Sequence, residues 1–171
     1  MLFLTLLKVR RFDCAEDNPD KDVLKRAFSQ GSCLYIVIGA GAPSKIRKED
    51  LYEIDVTIPS ALANEARVNG IRALTLLGST GPDINATYSA WTGTIAGGGY
   101  YRHCKGQVEE NIKQLNFEST NLMRPACLLG NTNTPKLAEI AIKAFNFITP
   151  VKLQGIEVTT LAQKMIKATN L

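Results

Sequence analysis

Two short apolar runs dictate most of what this chain can become. Leu34-Tyr35-Ile36-Val37-Ile38 lies between Gly31 and Gly39, and Ala73-Leu74-Thr75-Leu76-Leu77 ends at Gly78-Ser79-Thr80-Gly81. Both are short, apolar and bounded by glycine, the pattern of a buried strand. Segments of helical periodicity separate them from each other and from the later apolar runs, so they cannot pair as hairpins. Strands alternating with helices at this spacing predict an α/β fold with a mostly parallel sheet and helices on both faces.

Asp22–Phe28 reads as a short amphipathic helix with Val23, Leu24 and Phe28 near one face. Asp50–Val68 is helical in character but contains Pro59, which lacks an N–H and crowds the preceding turn. The main helix is therefore expected to start near Thr57, with Asn69-Gly70 closing it. Pro82 to Gly99 is polar and Gly-rich, carries Trp91, and reads as a long surface loop. A helix from about Tyr101 would align Cys104, Val108, Ile112 and Leu115 on one side. Asn121-Leu122-Met123 leads through Arg124-Pro125 to Cys127-Leu128-Leu129, a strand interrupted or ended near Pro125. Lys136–Phe147 and Val158–Ala168 read as further helices, and residues 2–9 as a buried strand.

The 171 residues fit one domain, 1–171, with a substantial core. The net charge of +4 is spread along the chain without a basic block, so nucleic acid is not indicated. Four cysteines without a CxxC pair and a single histidine argue against a metal site and for reduced thiols in an intracellular, cytoplasmic protein. No apolar run reaches transmembrane length. At the start, the apolar run Met1–Leu7 is followed by Lys8, Arg10 and Arg11, the reverse of the order in a secretory signal. It reads as a buried strand, with a weak organelle-targeting signal as the alternative.

The stretch that could carry chemistry is Tyr100-Tyr101-Arg102-His103-Cys104-Lys105-Gly106. Tyr101 and Lys105 are four residues apart, one turn apart on the same helical face. A phenol beside an ammonium is a proton donor whose pKa the positive charge lowers from near 10. The spacing alone is unspecific; its context gives it weight. A strand ending in Gly78-Ser79 precedes it, so that Ser79 could donate to the same substrate oxygen. His103 points away from that face and reads as surface; Cys104 reads as core.

Ile38-Gly39-Ala40-Gly41-Ala42-Pro43-Ser44 follows a strand but departs from a dinucleotide fingerprint at Pro43 and Ser44. It reads as a tight turn, or as the glycine-rich carboxyl end of a later strand lining a cofactor crevice. Arg10-Arg11 could bind the 2′-phosphate of an NADP-like ligand, or form a solvated basic edge.

Together these residues resemble the atypical short-chain dehydrogenase/reductases of the NmrA-like group, in the branch of the Tat-interacting-protein oxidoreductases and related fungal mitochondrial outer-membrane proteins. The resemblance rests on Ala27-Phe28, Ile38-Gly39, Leu74–Gly81 as LxLLGSTG, Tyr101-x-x-x-Lys105-Gly106-x-Val108-Glu109, Leu115-Asn116-Phe117 and Met123-Arg124-Pro125-Ala126-x-Leu128-Leu129-Gly130. It implies a Rossmann-like fold that binds NADP and acts on a small carbonyl or alcohol substrate. Tyr101 would match the catalytic general acid/base, Lys105 the lysine that holds the nicotinamide ribose, and Ser79 the substrate-orienting serine. Gly39 and Ala40 would lie near the adenine side, Arg124-Pro125 near the nicotinamide end, and Arg10 and Arg11 would match the arginine pair after the second strand.

The family opens with a strand and a GxxGxxG phosphate loop, whereas this chain begins at what matches the second strand. The expectation is an N-terminally truncated Rossmann-like domain, with residues 2–8 in the vacated central place, or an incomplete chain. Pro82–Gly99 is also longer than the family's loop between serine and tyrosine. Two functions fit these residues: an NADP-dependent oxidoreductase, or a non-catalytic binding or scaffold protein that has lost the phosphate loop. The apolar start and the fungal branch add peripheral association with the mitochondrial outer membrane as an alternative to the cytoplasm.

Overall fold

The computed structural model describes residues 19–29, 31–40, 45–86, 97–130 and 154–169. The expected strand at residues 2–9, Arg10 and Arg11, Trp91 and the helix at Lys136–Phe147 lie outside the described residues. In chain order the elements are α1 (Pro19–Ser29), β1 (Cys33–Ile36), α2 (Lys48–Tyr52), a π-helical turn (Glu53–Thr57), α3 (Ile58–Val68), β2 (Ala73–Leu77), α4 (Gly97–Gln114), β3 (Ser119–Met123), β4 (Cys127–Leu129), β5 (Gly155–Glu157) and α5 (Val158–Ala168). The expected α/β fold is what these elements build.

The main sheet runs β1-β2-β3 with both pairs parallel, Leu34 opposite Leu74, and Leu76 between Ile36 and Leu122. Because side chains alternate across a strand, Leu34, Ile36, Leu74 and Leu76 share one face. They bury against Leu24 and Phe28 of α1, Leu51 and Val56, Ala63 and Ala66 of α3, and Cys104, Val108 and Ile112 of α4. The opposite face carries the row Tyr35, Thr75, Asn121. There the end of α5 docks: the Tyr35 and Thr169 hydroxyls share a hydrogen bond, and the Asn121 amide donates to the Ala168 carbonyl at 3.0 Å. β2 is the middle strand, which explains why its sequence is almost continuously apolar.

Local signals set several boundaries. α3 stops where Asn69-Gly70 was expected to stop it. Gly70 takes φ +87°, its amide bonds the Arg67 carbonyl, and the Ile71 amide returns to the Ala66 carbonyl at 3.0 Å. The main helix, α3, starts where expected, with Thr57 as its N-cap and Pro59 in its first turn; what the sequence did not show is that α2 and the π turn lead into it without a break from Lys48. Proline cannot close the bond to the carbonyl four residues back, and the widened turn just before it absorbs that loss; the Ile58 amide reaches back five residues to Glu53.

Helix α4 begins at Gly97, not near Tyr101, so the glycines assigned to a loop form its first turn and Tyr101 sits in its second. The strand expected to be interrupted or to end near Pro125 does end there: β3 stops at Met123 and a separate β4 begins at Cys127. β3 completes the main sheet, while β4 leaves it to pair in parallel with β5. Pro125 has no amide hydrogen with which to continue a ladder.

Candidate functional site

In a parallel sheet all carboxyl ends lie along one edge. Here that edge gathers Gly39-Ala40 after β1, Ser79-Thr80 after β2 and Arg124-Pro125 after β3. Cross-links join the ends of β2 and β3. The Thr80 amide and hydroxyl donate to the carbonyls of Pro125 (3.2 Å) and Arg124 (3.1 Å). Beyond Thr80, the chain is tied to α4 by Arg102 Nε donating to the Gly81 carbonyl at 2.8 Å and by His103 Nδ1 against the Ile84 carbonyl at 2.7 Å. His103, read from helical phase as plain surface, is therefore a half-buried clamp on this loop.

Tyr101 and Lys105 do come together: the Lys105 ammonium stands over the Tyr101 ring, 5.4 Å from its centroid. The pair has a partner that sequence reasoning missed. Asp55, on the π turn, is completely buried and lies 3.1 Å from Lys105 Nζ, itself only 6% exposed. The other carboxylate oxygen, Oδ1, accepts the Ala40 amide at 2.8 Å. Asp55 thus ties the end of β1 to α4, and a buried ammonium is neutralised by a buried carboxylate. A signal existed. Asp55 is four residues after the core residue Leu51, on the buried side of its helix, where an acid requires a partner.

Cys104, fully buried beside this pair, has its thiol pushed up to about 11, first by burial and then by the Asp55 charge. It is core, as expected from the sequence, and not a nucleophile. Ser79 Oγ is buried at the end of β2 and has no hydrogen-bond partner among the described residues. Nor does any described hydrogen bond join Ser79 to Tyr101 or Lys105.

Arg124 is held from within the chain. Its guanidinium makes a two-point pair with Glu109 of α4, the Nε–Oε1 bond being 2.9 Å, and Glu109 holds the Arg124 pKa up. Gly78 leaves the room for this pair, since a Cβ there would stand 3.2 Å from Glu109 Oε1. Glu109 and Arg124 form one wall of an open cavity of about 720 Å³, closed on the other side by the Thr80–Ile84 loop.

No family model matches the chain. It is similar to curated fungal proteins named fmp52, mitochondrial. The Emericella nidulans protein is 28% identical over 97 residues, 57% of this chain and 37% of the relative. The Candida glabrata protein is 35% identical over 80 residues, 47% of this chain and 30% of the relative. The chain spans about a third of the length of these two relatives. The match to FMP52-1 of Scheffersomyces stipitis is longer, covering 86% of this chain and 62% of the relative at 22% identity.

Among solved structures, MoeE5 in complex with UDP-glucose and NAD superposes with a TM-score of 0.62 at 12% identity, over 86% of this chain and 55% of that one. WbmG of Bordetella bronchiseptica in complex with NAD gives 0.57 at 13% identity, over 88% and 51%. At such low identity the likeness shows the fold, which is Rossmann-like.

Proposed function

We propose that this chain is the site-bearing part of a nicotinamide dinucleotide-dependent oxidoreductase of the NmrA-like, Tat-interacting-protein branch, using NADP and acting on a small carbonyl or alcohol. The observation that carries the reading is the convergence of Tyr101, Lys105 and Asp55 beside Gly39-Ala40 at the carboxyl edge of the sheet. The residues fit a ligand there, because the edge holds a buried hydroxyl, Ser79 Oγ, that nothing described satisfies. The dinucleotide, when bound, supplies or accepts the hydride. Tyr101 delivers or takes the proton at its phenol oxygen, and Ser79 orients the substrate oxygen. Lys105 fixes the phenol and the ribose, Gly39 and Ala40 lie near the adenine side, Arg124 and Pro125 flank the nicotinamide end, and Arg10 and Arg11 select the 2′-phosphate.

A specific observation favours a second reading, a non-catalytic binding or scaffold protein. Both cations expected at the ligand, Lys105 and Arg124, are already paired with buried carboxylates of the chain. Titration with NADP(H) and NAD(H) separates the two. Micromolar NADP(H) binding that charge reversal at Arg10 and Arg11 abolishes supports the oxidoreductase; no binding up to millimolar cofactor leaves the scaffold.

The relatives' names favour the mitochondrion over the cytoplasm, and we place the protein at the mitochondrial outer membrane as a peripheral protein. No helix among the described residues is long and apolar enough to cross a membrane. Fractionation with carbonate extraction checks this: a peripheral protein leaves with the wash, and recovery from the cytosol alone sinks the assignment.

A further inference from the structure

The Glu109–Arg124 pair leaves one edge of its guanidinium unused. Glu109, almost wholly buried, accepts from Nε and one Nη of Arg124, two of the five N–H donors that a guanidinium carries. No hydrogen bond to another described residue takes the remaining three. The Arg124 side chain is 45% exposed and lines the cavity of about 720 Å³, the size of a small-molecule site. Braced by a buried carboxylate, the guanidinium cannot swing to suit a ligand. It presents a planar fork of fixed orientation, the match for a second carboxylate.

The charges around that fork decide what else the ligand carries. Asp83, Glu109 and Glu110 line the cavity against Lys113 and Arg124, an excess of negative charge. A bare anion would meet that excess, and a bare cation would leave the fork without an acceptor. Asp83 is engaged by Arg102 and by the Asn85 amide. Glu110 is the acid free to answer an ammonium: Lys113 stands 3.7 Å from it, both side chains are about half exposed, and such a pair holds little. Pro82 and Ile84 supply the apolar lining, and the Ile84 side chain is exposed. Neither Tyr101 nor Lys105 lines this cavity, whose α4 residues begin at Gly106.

We propose that the cavity between α4 and the Thr80–Ile84 loop binds a small zwitterionic amino acid with an apolar side chain. Its carboxylate takes the free edge of Arg124, its ammonium meets Glu110, and its side chain lies against Pro82 and Ile84. This site goes beyond the oxidoreductase reading and does not depend on it.

The test is an NMR titration of the chain, following backbone amides, with phenylalanine, phenylalaninamide and phenylpropionate in turn. Phenylalanine should bind saturably at millimolar concentration and shift the amides of Gly81, Asp83, Ile84 and Gly106. Phenylalaninamide lacks the carboxylate and should bind about tenfold more weakly, the worth of a hydrogen bond between charged groups. Phenylpropionate lacks the ammonium and should bind about threefold more weakly, a smaller loss because Glu110 is half exposed. Arg124→Lys keeps a cation for Glu109 but not the fork, and should weaken phenylalanine about tenfold. Glu110→Gln changes a half-exposed side chain, should fold as wild type, and should remove the preference for phenylalanine over phenylpropionate; it decides the matter if Arg124→Lys fails to fold. No saturable shift with phenylalanine, shifts confined to other parts of the chain, a probe lacking either charge that binds as well as phenylalanine, or either variant behaving as wild type overturns the proposal.

Discussion

The backbone of Ile84 occupies the space that a side chain on Gly106 would fill. A Cβ at Gly106 would meet the Ile84 amide nitrogen, stand 2.7 Å from the Asp83 carbonyl carbon and 2.9 Å from Ile84 Cα. The loop after β2 can lie against α4, held by Arg102 and His103, only because residue 106 is glycine.

Gly106→Ala sets two effects against each other. Alanine favours a helix interior by about 1 kcal/mol, but the obstacle is backbone, which cannot rotate away as a side chain can. Overpacking of this kind costs about 1–3 kcal/mol. Net destabilisation is expected, read as a lower urea midpoint, with faster proteolysis in the Thr80–Ala86 loop. A variant as stable as wild type would contradict the packing described.

Breaking the buried ion pair from one side should hurt more than removing both members. Asp55→Ala leaves Lys105 buried and unpaired, a loss on the order of 3–5 kcal/mol. Asp55→Leu combined with Lys105→Met should recover much of it. Denaturant unfolding of the single and double variants measures the coupling, and simple additivity would mean that the two residues do not interact.

Cys104 makes an alkaline signature. Its folded pKa is raised from 9.0 to about 11, so the folded state holds this proton more tightly than the unfolded chain. The stability it contributes is complete below pH 9 and is lost as the pH rises through about 11, a swing on the order of 2 kcal/mol. Tyr35, also raised, adds to the fall above pH 10. Unfolding midpoints from pH 8 to 11 should drop less steeply for Cys104→Ala than for wild type. In the folded protein Cys33 and Cys127, both partly exposed, should alkylate well before Cys104.

Tyr101→Phe removes one oxygen and keeps the ring under the Lys105 ammonium. If Tyr101 transfers the proton, NADP-dependent turnover should fall by about 100-fold or more with cofactor affinity nearly unchanged. An unaltered rate would remove Tyr101 from the chemistry, and lost binding would make it a structural residue.

Much of the fold was legible because its causes are local. Ala73–Leu77 and Val158–Ala168 form where their periodicity said, and Asn69-Gly70 stops α3 by the positive φ that glycine permits. Period and capping act over one or two turns, so they can be read from neighbours. The Tyr101/Lys105 spacing was legible for the same reason.

The surroundings of that pair were not. Asp55 reaches Lys105 because a π turn ahead of Pro59 and a helix starting at Gly97 are packed on one sheet, and Glu109 meets Arg124 only once β3 lies beside β2. Sequence spacing says nothing about distances between elements. The sequence by itself determined a parallel α/β fold and put a phenol and an ammonium on one helical face. The tertiary structure alone decided that the ammonium is buried and neutralised, because a charge removed from water requires its opposite within reach.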